Sequence, residues 1–155
     1  MIEIGKKAPA LTLQNQAGET VKLSDFLGQY VVIYFYPKDD TPGCTKEACS
    51  FRDEHTKLQK AGAVVLGISP DNEARHTRFI AKYELPFDLL ADVDHEVAEK
   101  YDAWGEKSLY GKKYMGILRS TFLVGKDGKV KGVWPKVKPE GHALEVLKAL
   151  RELGD

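Results

Sequence analysis

Two cysteines, Cys44 and Cys49, are the residues of this 155-residue chain that are best suited to covalent chemistry. Only the thiolate form of a cysteine is a strong nucleophile, and a free thiol with a pKa of about 8.5 carries little thiolate at neutral pH. Helix amides and a neighbouring cation can lower such a pKa to about 3.5 to 7.5. A cysteine in the first turn of a helix is therefore a candidate nucleophile.

The segment from Val31 to Arg52 predicts a strand, a break and then a helix. Its first six residues are apolar or aromatic, which is typical of a strand that is buried on both faces of a sheet. Pro37 and the turn-forming cluster Asp39–Gly43 end that strand. Small, apolar or aromatic residues then recur at helical spacing up to about Gly62, namely Cys44, Ala48, Phe51, His55 and Leu58. Cys44 is thus expected in the first turn of a helix, at the carboxyl end of a central strand, where α/β sheets usually build their sites.

Cys49 follows Cys44 by five positions on the same predicted helix. In an α-helix this spacing places the two side chains about 140° apart around the axis and their Cα atoms about 8.7 Å apart. A disulfide requires a Cα separation of less than about 7 Å. A bond between Cys44 and Cys49 would therefore require the intervening helix to unwind.

Length and composition favour a single domain spanning residues 1–155, because 43% of the residues are hydrophobic. Lys plus Arg and Asp plus Glu both number 23, so no basic excess points to nucleic acid or to an anionic membrane as a partner. The amino end lacks the layout of a signal peptide and no apolar run approaches a membrane span, so a cytoplasmic protein is expected. In a reducing compartment two cysteines are more often catalytic or redox-sensing than structural.

The first half of the chain alternates between predicted strands and helices. Alternating apolar residues in 11–13 and 21–23 predict an amino-terminal hairpin. After the Cys44 helix, Val64–Ile68 predicts a second buried strand and Asn72–Glu84 a second helix. A short extended segment at Leu85–Ala91 follows, and Asp94 is expected to cap a short helix that runs to Tyr101.

The second half predicts a loop, a hairpin and a closing helix. Trp104–Leu118 contains three glycines and no clear period, so it is expected to be mostly loop. Arg119–Val124 and Lys129–Trp134 should pair antiparallel through an Asp-Gly turn. Glu140–Leu153 predicts an amphipathic helix with Leu144, Leu147 and Leu150 on its apolar face. The whole order indicates an α/β protein, with a central mixed β-sheet flanked by helices.

Two patterns around Cys44 resemble a known family. Pro37-x-x-x-Thr41-x-x-Cys44 is similar to the active-site signature of the peroxiredoxins. The longer stretch Thr41-Pro-Gly-Cys-Thr-Lys-Glu-Ala-Cys49-Ser-Phe-Arg-Asp53 resembles the subgroup called bacterioferritin comigratory protein or peroxiredoxin Q. The resemblance extends more loosely over nearly the whole chain. It implies a thioredoxin-like fold with an additional amino-terminal β-hairpin.

The resemblance also implies an activity, that of a thiol-dependent peroxidase acting on hydrogen peroxide and organic hydroperoxides. The Cys44 thiolate would attack the peroxide and become a sulfenic acid, which Cys49 would resolve as an intramolecular disulfide. Thioredoxin or a similar dithiol would reduce that disulfide. No cofactor is implied, and members of this subgroup are often monomeric.

The family pattern assigns further roles around the nucleophile. The amides of Cys44 and of Gly43 or a neighbour would bind the substrate oxygen. Thr41 would hydrogen-bond the thiolate or the substrate, Pro37 would shield the sulfenic acid from water, and Arg119 would supply a cation. Local sequence alone does not place a residue 75 positions away beside Cys44.

Several alternatives remain open at the level of sequence. A lone buried cysteine is usually an inert small hydrophobe, and a strand arginine such as Arg119 is usually solvated. A general thiol-disulfide oxidoreductase would carry Cys-x-x-Cys, whereas a redox-sensing or chaperone module could share the whole fold. The acidic run at residues 92–96 suggests a metal site, but carboxylates at a helix start also cap the helix, and the four histidines lack ligand spacing. No metal site is therefore expected.

Overall fold

The fold is organised around the central strand β3 (Tyr30–Phe35). The computed structural model describes residues 2–154. All six residues of β3 are buried, in agreement with the apolar run in the sequence. It pairs in parallel with β4 (Ala63–Ser69) and antiparallel with β8 (Ser120–Val124), so the sheet is mixed. The seven-stranded sheet has the order β2 (Thr20–Lys22), β1 (Thr12–Gln14), β5 (Asp88–Ala91), β4, β3, β8 and β9 (Val130–Trp134).

The outer strands confirm both predicted hairpins. The amino-terminal hairpin consists of β1 (Thr12–Gln14) and β2 (Thr20–Lys22), and β1 joins the sheet beside β5 (Asp88–Ala91). At the opposite edge, β9 (Val130–Trp134) pairs antiparallel with β8. A 3-10 helix at Leu23–Phe26 leads from the first hairpin to β3.

Helix α1 (Pro42–Lys60) follows β3 after a short loop, and it begins and ends where the sequence predicts. Pro42 occupies its first turn, where a missing amide proton is tolerated, and Gly62 with a φ of 88° follows its last residues. The predicted apolar residues of this helix are all buried, namely Cys44, Ala48, Phe51, His55 and Leu58. They pack on the face of β3 that presents Val32 and Tyr34.

Two further helices cover the same face of the sheet as α1. They are α2 (Glu73–Tyr83), capped by the side chain of Asn72, and α4 (His142–Leu153), which packs against α1. The opposite face, which presents Ile33 and Phe35, is covered by the amino-terminal segment and by α3 (Glu96–Lys100) with the residues that follow it. The predicted α/β class, a mixed sheet flanked by helices, is confirmed.

The prediction of a loop at Trp104–Leu118 is wrong. These residues form a separate two-stranded antiparallel sheet of β6 (Trp104–Leu109) and β7 (Lys112–Ile117). Tyr110 and Gly111 connect the strands, both with positive φ, as tight hairpin turns require. Most of this hairpin is exposed on both faces, so its sequence has no alternation of apolar and polar residues that could have revealed the strands.

Two smaller predictions about helices are also wrong. The α3 helix begins after His95, and Asp92 rather than Asp94 accepts hydrogen bonds from its amides, at 3.2 Å from Val97 and 2.9 Å from Ala98. In α4, Leu144 faces solvent, because the buried stripe is formed by its neighbours Ala143, Val146, Leu147 and Leu150. Within residues 2–154, no helix is long and apolar enough to span a bilayer.

Candidate active site

Cys44 lies in the first turn of α1, immediately beyond the carboxyl end of β3, as predicted. Its side chain is almost fully buried, with 1% of its surface exposed. The first backbone hydrogen bond of the helix is donated by the Thr45 amide to the Thr41 carbonyl, at 2.8 Å. The amides of Gly43 and Cys44 precede it and belong to the group of helix amides that have no partner within the helix.

Arg119 reaches this cysteine through the pairing of β3 with β8. Phe35 at the end of β3 lies opposite Ser120, so the residue before β8 is brought to the start of α1. The Nη2 atom of Arg119 donates to the Cys44 sulfur at 3.3 Å. This strand register explains how a residue so distant in sequence becomes the neighbour of the sulfur.

Glu47, which the sequence reasoning missed, completes a largely buried chain of ionisable groups with Arg119 and Cys44. Its Oε1 atom accepts from Nη1 of Arg119 at 2.7 Å, and the carboxylate is fully buried. Burial raises the pKa of Glu47 to about 7, although the Arg119 guanidinium acts in the opposite direction. Burial acts to lower the pKa of Arg119, but Glu47 and Cys44 outweigh it and raise that pKa. The sequence did contain a signal for this residue, because Glu47 follows Cys44 by about one turn and lies on the apolar face of the predicted helix.

Gly43 leaves space beside the guanidinium. A Cβ atom built at this position would lie 3.3 Å from Nη2 of Arg119 and 3.7 Å from Cγ of Pro139. A surface groove of about 550 Å³ opens next to it, with prolines and lysines among its lining residues, which are Pro42, Gly43, Lys46, Lys138, Pro139 and Glu140. The absence of a side chain thus keeps an approach to the helix start open.

Thr41 and Pro37 frame the loop that leads into α1. The Thr41 hydroxyl donates to the Lys38 carbonyl at 2.9 Å, so its proton is directed to the backbone and not to the Cys44 sulfur. The oxygen of that hydroxyl still has lone pairs with which it can accept a hydrogen bond. Pro37 is half-buried and follows the last buried residue of the strand segment.

Cys49 lies in the same unbroken helix as Cys44 and is half-buried, and both thiols are free. The helix between them is fully wound, so the geometry that separates their Cα atoms by about 8.7 Å applies. No group of three or more His, Cys, Asp or Glu side chains in the described part of the chain is arranged to hold a metal ion.

Comparison with known proteins identifies the family. A family model described as AhpC/TSA matches residues 4–133. The chain is 52% identical to "Peroxiredoxin Bcp" of Bacillus subtilis, over 99% of this chain and 98% of that protein. It is 48% identical to "Peroxiredoxin Bcp" of Escherichia coli K12, with 97% of each covered. The chain belongs to the peroxiredoxins of the AhpC/TSA family.

Solved structures agree with this membership. The fold matches that of the bacterioferritin comigratory protein of Xanthomonas campestris with a TM-score of 0.91 and 40% identity, over 99% of this chain and 100% of that one. That protein was studied for its alkyl peroxide reduction activity, in structures of a trapped intermediate and a ligand complex. A cysteine-to-serine variant of PrxQ from Xylella fastidiosa matches with a TM-score of 0.94 and 34% identity, over 100% and 99%. The thioredoxin-like peroxiredoxin fold that the sequence resemblance implied is confirmed.

As a peroxiredoxin, the protein is a thiol-dependent peroxidase that uses peroxide substrates and a thiol reductant. Of the residues singled out from the sequence, the fold places Arg119 against Cys44 and leaves Gly43 beside the same guanidinium, where a side chain would crowd it. It places Thr41 and Pro37 in the adjoining loop and keeps Cys49 apart. The cluster around the Cys44 sulfur also contains Glu47, which sequence reasoning did not identify.

Proposed function

We propose that Cys44 is the peroxidatic residue of this enzyme and that Cys49 is its resolving residue. The observation that carries the proposal is the 3.3 Å contact from Arg119 to the Cys44 sulfur in the first turn of α1. A guanidinium donor stabilises negative charge on sulfur, and the thiolate is the form that attacks. The Cys44 thiolate displaces the distal part of the peroxide, giving a sulfenic acid and an alkoxide or hydroxide that takes a proton from solvent.

The oxygen atoms of the substrate are held by groups at the helix start. The amides of Gly43 and Cys44 point out of the helix and donate to the peroxide, and they stabilise the charge that develops as the oxygen–oxygen bond breaks. The Thr41 hydroxyl accepts from the peroxide O–H, because its own proton is used for the Lys38 carbonyl. Pro37 limits the access of water to the sulfenic acid.

Resolution proceeds within one chain. The Cys49 thiol attacks the Cys44 sulfenic acid, a disulfide forms and water leaves. The disulfide has to be reduced in every turnover, and a dithiol reductant converts it back to the two thiols. We propose that this reductant is thioredoxin, in the reducing cytoplasm. The pairing needs one chain only, so a monomer is the proposed working form, and turnover per chain should stay constant on dilution.

Two cysteine variants test these assignments by stopped-flow kinetics and mass spectrometry. Cys44→Ser should abolish peroxide reduction and disulfide formation. Cys49→Ser should keep a single rapid oxidation, but its recycling by thioredoxin should fall by at least about 100-fold, since no second thiol expels the sulfenic oxygen. A redox sensor would give the single oxidation but no repeated turnover in the unaltered protein, and unimpaired recycling of Cys49→Ser would exclude Cys49 as the resolving thiol.

A further inference from the structure

A buried polar cluster ties the loop before α1 to the neighbouring helix α2. At its centre His76 is fully buried, with its Nδ1 atom 2.7 Å from Oδ2 of Asp39 and its Nε2 atom 3.0 Å from the carbonyl oxygen of Leu90. Asp39 belongs to the loop between Pro37 and Thr41. The histidine therefore connects the approach to the first turn of α1 with both α2 and β5.

The partners of the His76 ring are both acceptors. A carboxylate and a backbone carbonyl can only receive hydrogen bonds, so the ring satisfies both contacts when it donates from both nitrogens. A buried ring that donates twice, facing a carboxylate, forms a charge-assisted pair, and removing one partner of such a pair leaves the other without compensation. The contact between Asp39 and His76 is therefore strong, although the loop to which Asp39 belongs has no regular secondary structure.

Other groups in the cluster support Asp39 from two sides. The Tyr36 hydroxyl donates to its Oδ1 atom at 2.5 Å. The Asp39 amide donates to Oδ2 of Asp71 at 2.7 Å, and the same oxygen accepts from the Ser69 hydroxyl at 2.7 Å. The other carboxylate oxygen of Asp71, Oδ1, lies 3.4 Å from Nη1 of Arg75. The side chain and the backbone of Asp39 are thus both fixed to elements other than α1.

The adjacent residue, Asp40, contacts the same helix from the surface. Its carboxylate accepts from Nζ of Lys82 at 2.8 Å and from the Tyr83 hydroxyl at 2.9 Å. Lys82 and Asp40 are exposed, and exposed ion pairs contribute little because water and salt screen them. Two neighbouring aspartates therefore offer a matched comparison between a buried contact and an exposed contact to α2.

We propose that His76 is a positioning residue that holds the loop at 37–41 and thereby keeps the first turns of α1 wound. Cys49 reaches the Cys44 sulfenic acid only when these turns unwind, so the Asp39–His76 contact sets how often resolution can begin. This inference rests on the proposed role of Cys49. Loss of the contact shifts the sulfenic acid toward disulfide formation, with release of water, and away from reaction with a second peroxide, which gives a sulfinic acid and an alcohol or water.

His76→Gln and Asp39→Asn test the proposal without leaving a large cavity. In stopped-flow experiments the rate of disulfide formation after one equivalent of peroxide should rise about tenfold in His76→Gln, because a hydrogen bond to a charged group contributes roughly a decade to an equilibrium. The sulfinic acid fraction at excess peroxide, measured by mass spectrometry, should fall in parallel. Asp39→Asn can keep two hydrogen bonds with a neutral ring, so its rate should lie between those of His76→Gln and the unaltered protein.

Two control variants separate positioning from general stability. Lys82→Met removes the exposed ion pair to Asp40 in the same loop, keeps the hydrogen bond from Tyr83 to Asp40, and should leave the disulfide rate unchanged. Tyr101→Phe removes a hydrogen bond made by another fully buried residue, from the Tyr101 hydroxyl to the Pro9 carbonyl at 2.6 Å, on the opposite face of the sheet. It should lower the melting temperature without changing the ratio of disulfide to sulfinic acid. A ratio in His76→Gln equal to that in Tyr101→Phe would overturn the proposal.

Amide hydrogen exchange in the reduced protein distinguishes failure of this inference from failure of the proposed function. Exchange at residues 45–49 should be faster in His76→Gln than in Lys82→Met, whatever thiol resolves Cys44. Absence of a Cys44–Cys49 disulfide in the unaltered protein would refute the role of Cys49. Unchanged exchange at these amides would refute the role of His76.

Discussion

The surroundings of Cys44 and of Cys49 differ, although the two thiols are five residues apart on one helix. Cys44 is buried and lies against Arg119, which in turn binds the buried carboxylate of Glu47. Cys49 is half-buried, and its spacing places it about 140° around the helix axis from Cys44. The partner across the sheet, and not the helix alone, therefore distinguishes the proposed nucleophile from the second thiol.

Replacement of Arg119 should produce the largest change in this comparison. Arg119→Met removes the only donor that contacts the Cys44 sulfur among the side chains of residues 2–154, so the rate of the first oxidation should fall by about 100- to 1,000-fold. Stopped-flow measurement of Cys44 oxidation gives this rate directly. Arg119→Lys should restore only part of the oxidation rate, because a single ammonium cannot bind the sulfur and the carboxylate at the same time, as the guanidinium does. An unchanged oxidation rate in Arg119→Met would show that Arg119 is not what distinguishes Cys44 from Cys49.

The pH dependence of stability should reveal the buried carboxyl group. Because the pKa of Glu47 is raised from 4.5 to about 7, the folded state binds more protons than the unfolded state between these values. Its contribution to the free energy of unfolding is therefore fully present below pH 4.5, and it decreases by up to about 1 kcal/mol per pH unit as the pH rises to 7. Urea unfolding of Cys44→Ser and of Cys44→Ser/Glu47→Gln between pH 4.5 and 8 measures it.

The serine background in that experiment removes the Cys44 thiol from the site. The Glu47→Gln variant should show a shallower fall in stability across this range than its parent. Equal slopes would mean that the carboxyl is not protonated preferentially in the folded protein.

The smallest expected signal comes from the helix between the two cysteines. Formation of the Cys44–Cys49 disulfide should remove about two turns of α1, since the wound helix keeps the Cα atoms too far apart for a bond. Far-ultraviolet circular dichroism of the reduced and oxidised protein should show a small loss of helix signal. Equal helix content alongside a Cys44–Cys49 bond proven by mass spectrometry would contradict the requirement for unwinding.

Local sequence patterns predicted those parts of the fold in which one short segment contains the whole signal. The continuous apolar run of β3, the helical spacing after Cys44 and the Asp-Gly turn before β9 are signals of this kind. The β6 and β7 strands carry no such signal, because they pair only with each other and remain largely exposed. Their existence depends on a tight turn at Tyr110 and Gly111 that composition did not reveal.

The candidate site was predictable to a different degree at each residue. The position of Cys44 followed from local pattern, whereas Arg119 came from family resemblance, because its proximity depends on the register between β3 and β8. Glu47 could have been found as a charged residue on the apolar face of α1, but the helical spacing alone does not show what it binds. His76 has no local signal, since its partners Asp39 and Leu90 come from separate loops and strands.

Glu47 lies between the two cysteines, within the segment that the proposed Cys44–Cys49 disulfide would unwind. Unwinding would bring its carboxyl group from the protein interior into water, where the group is ionised at neutral pH. Each oxidation would then release a fraction of a proton to the solvent, and each reduction would take it back. The redox potential of the cysteine pair would accordingly depend on pH through a carboxyl group as well as through the thiols.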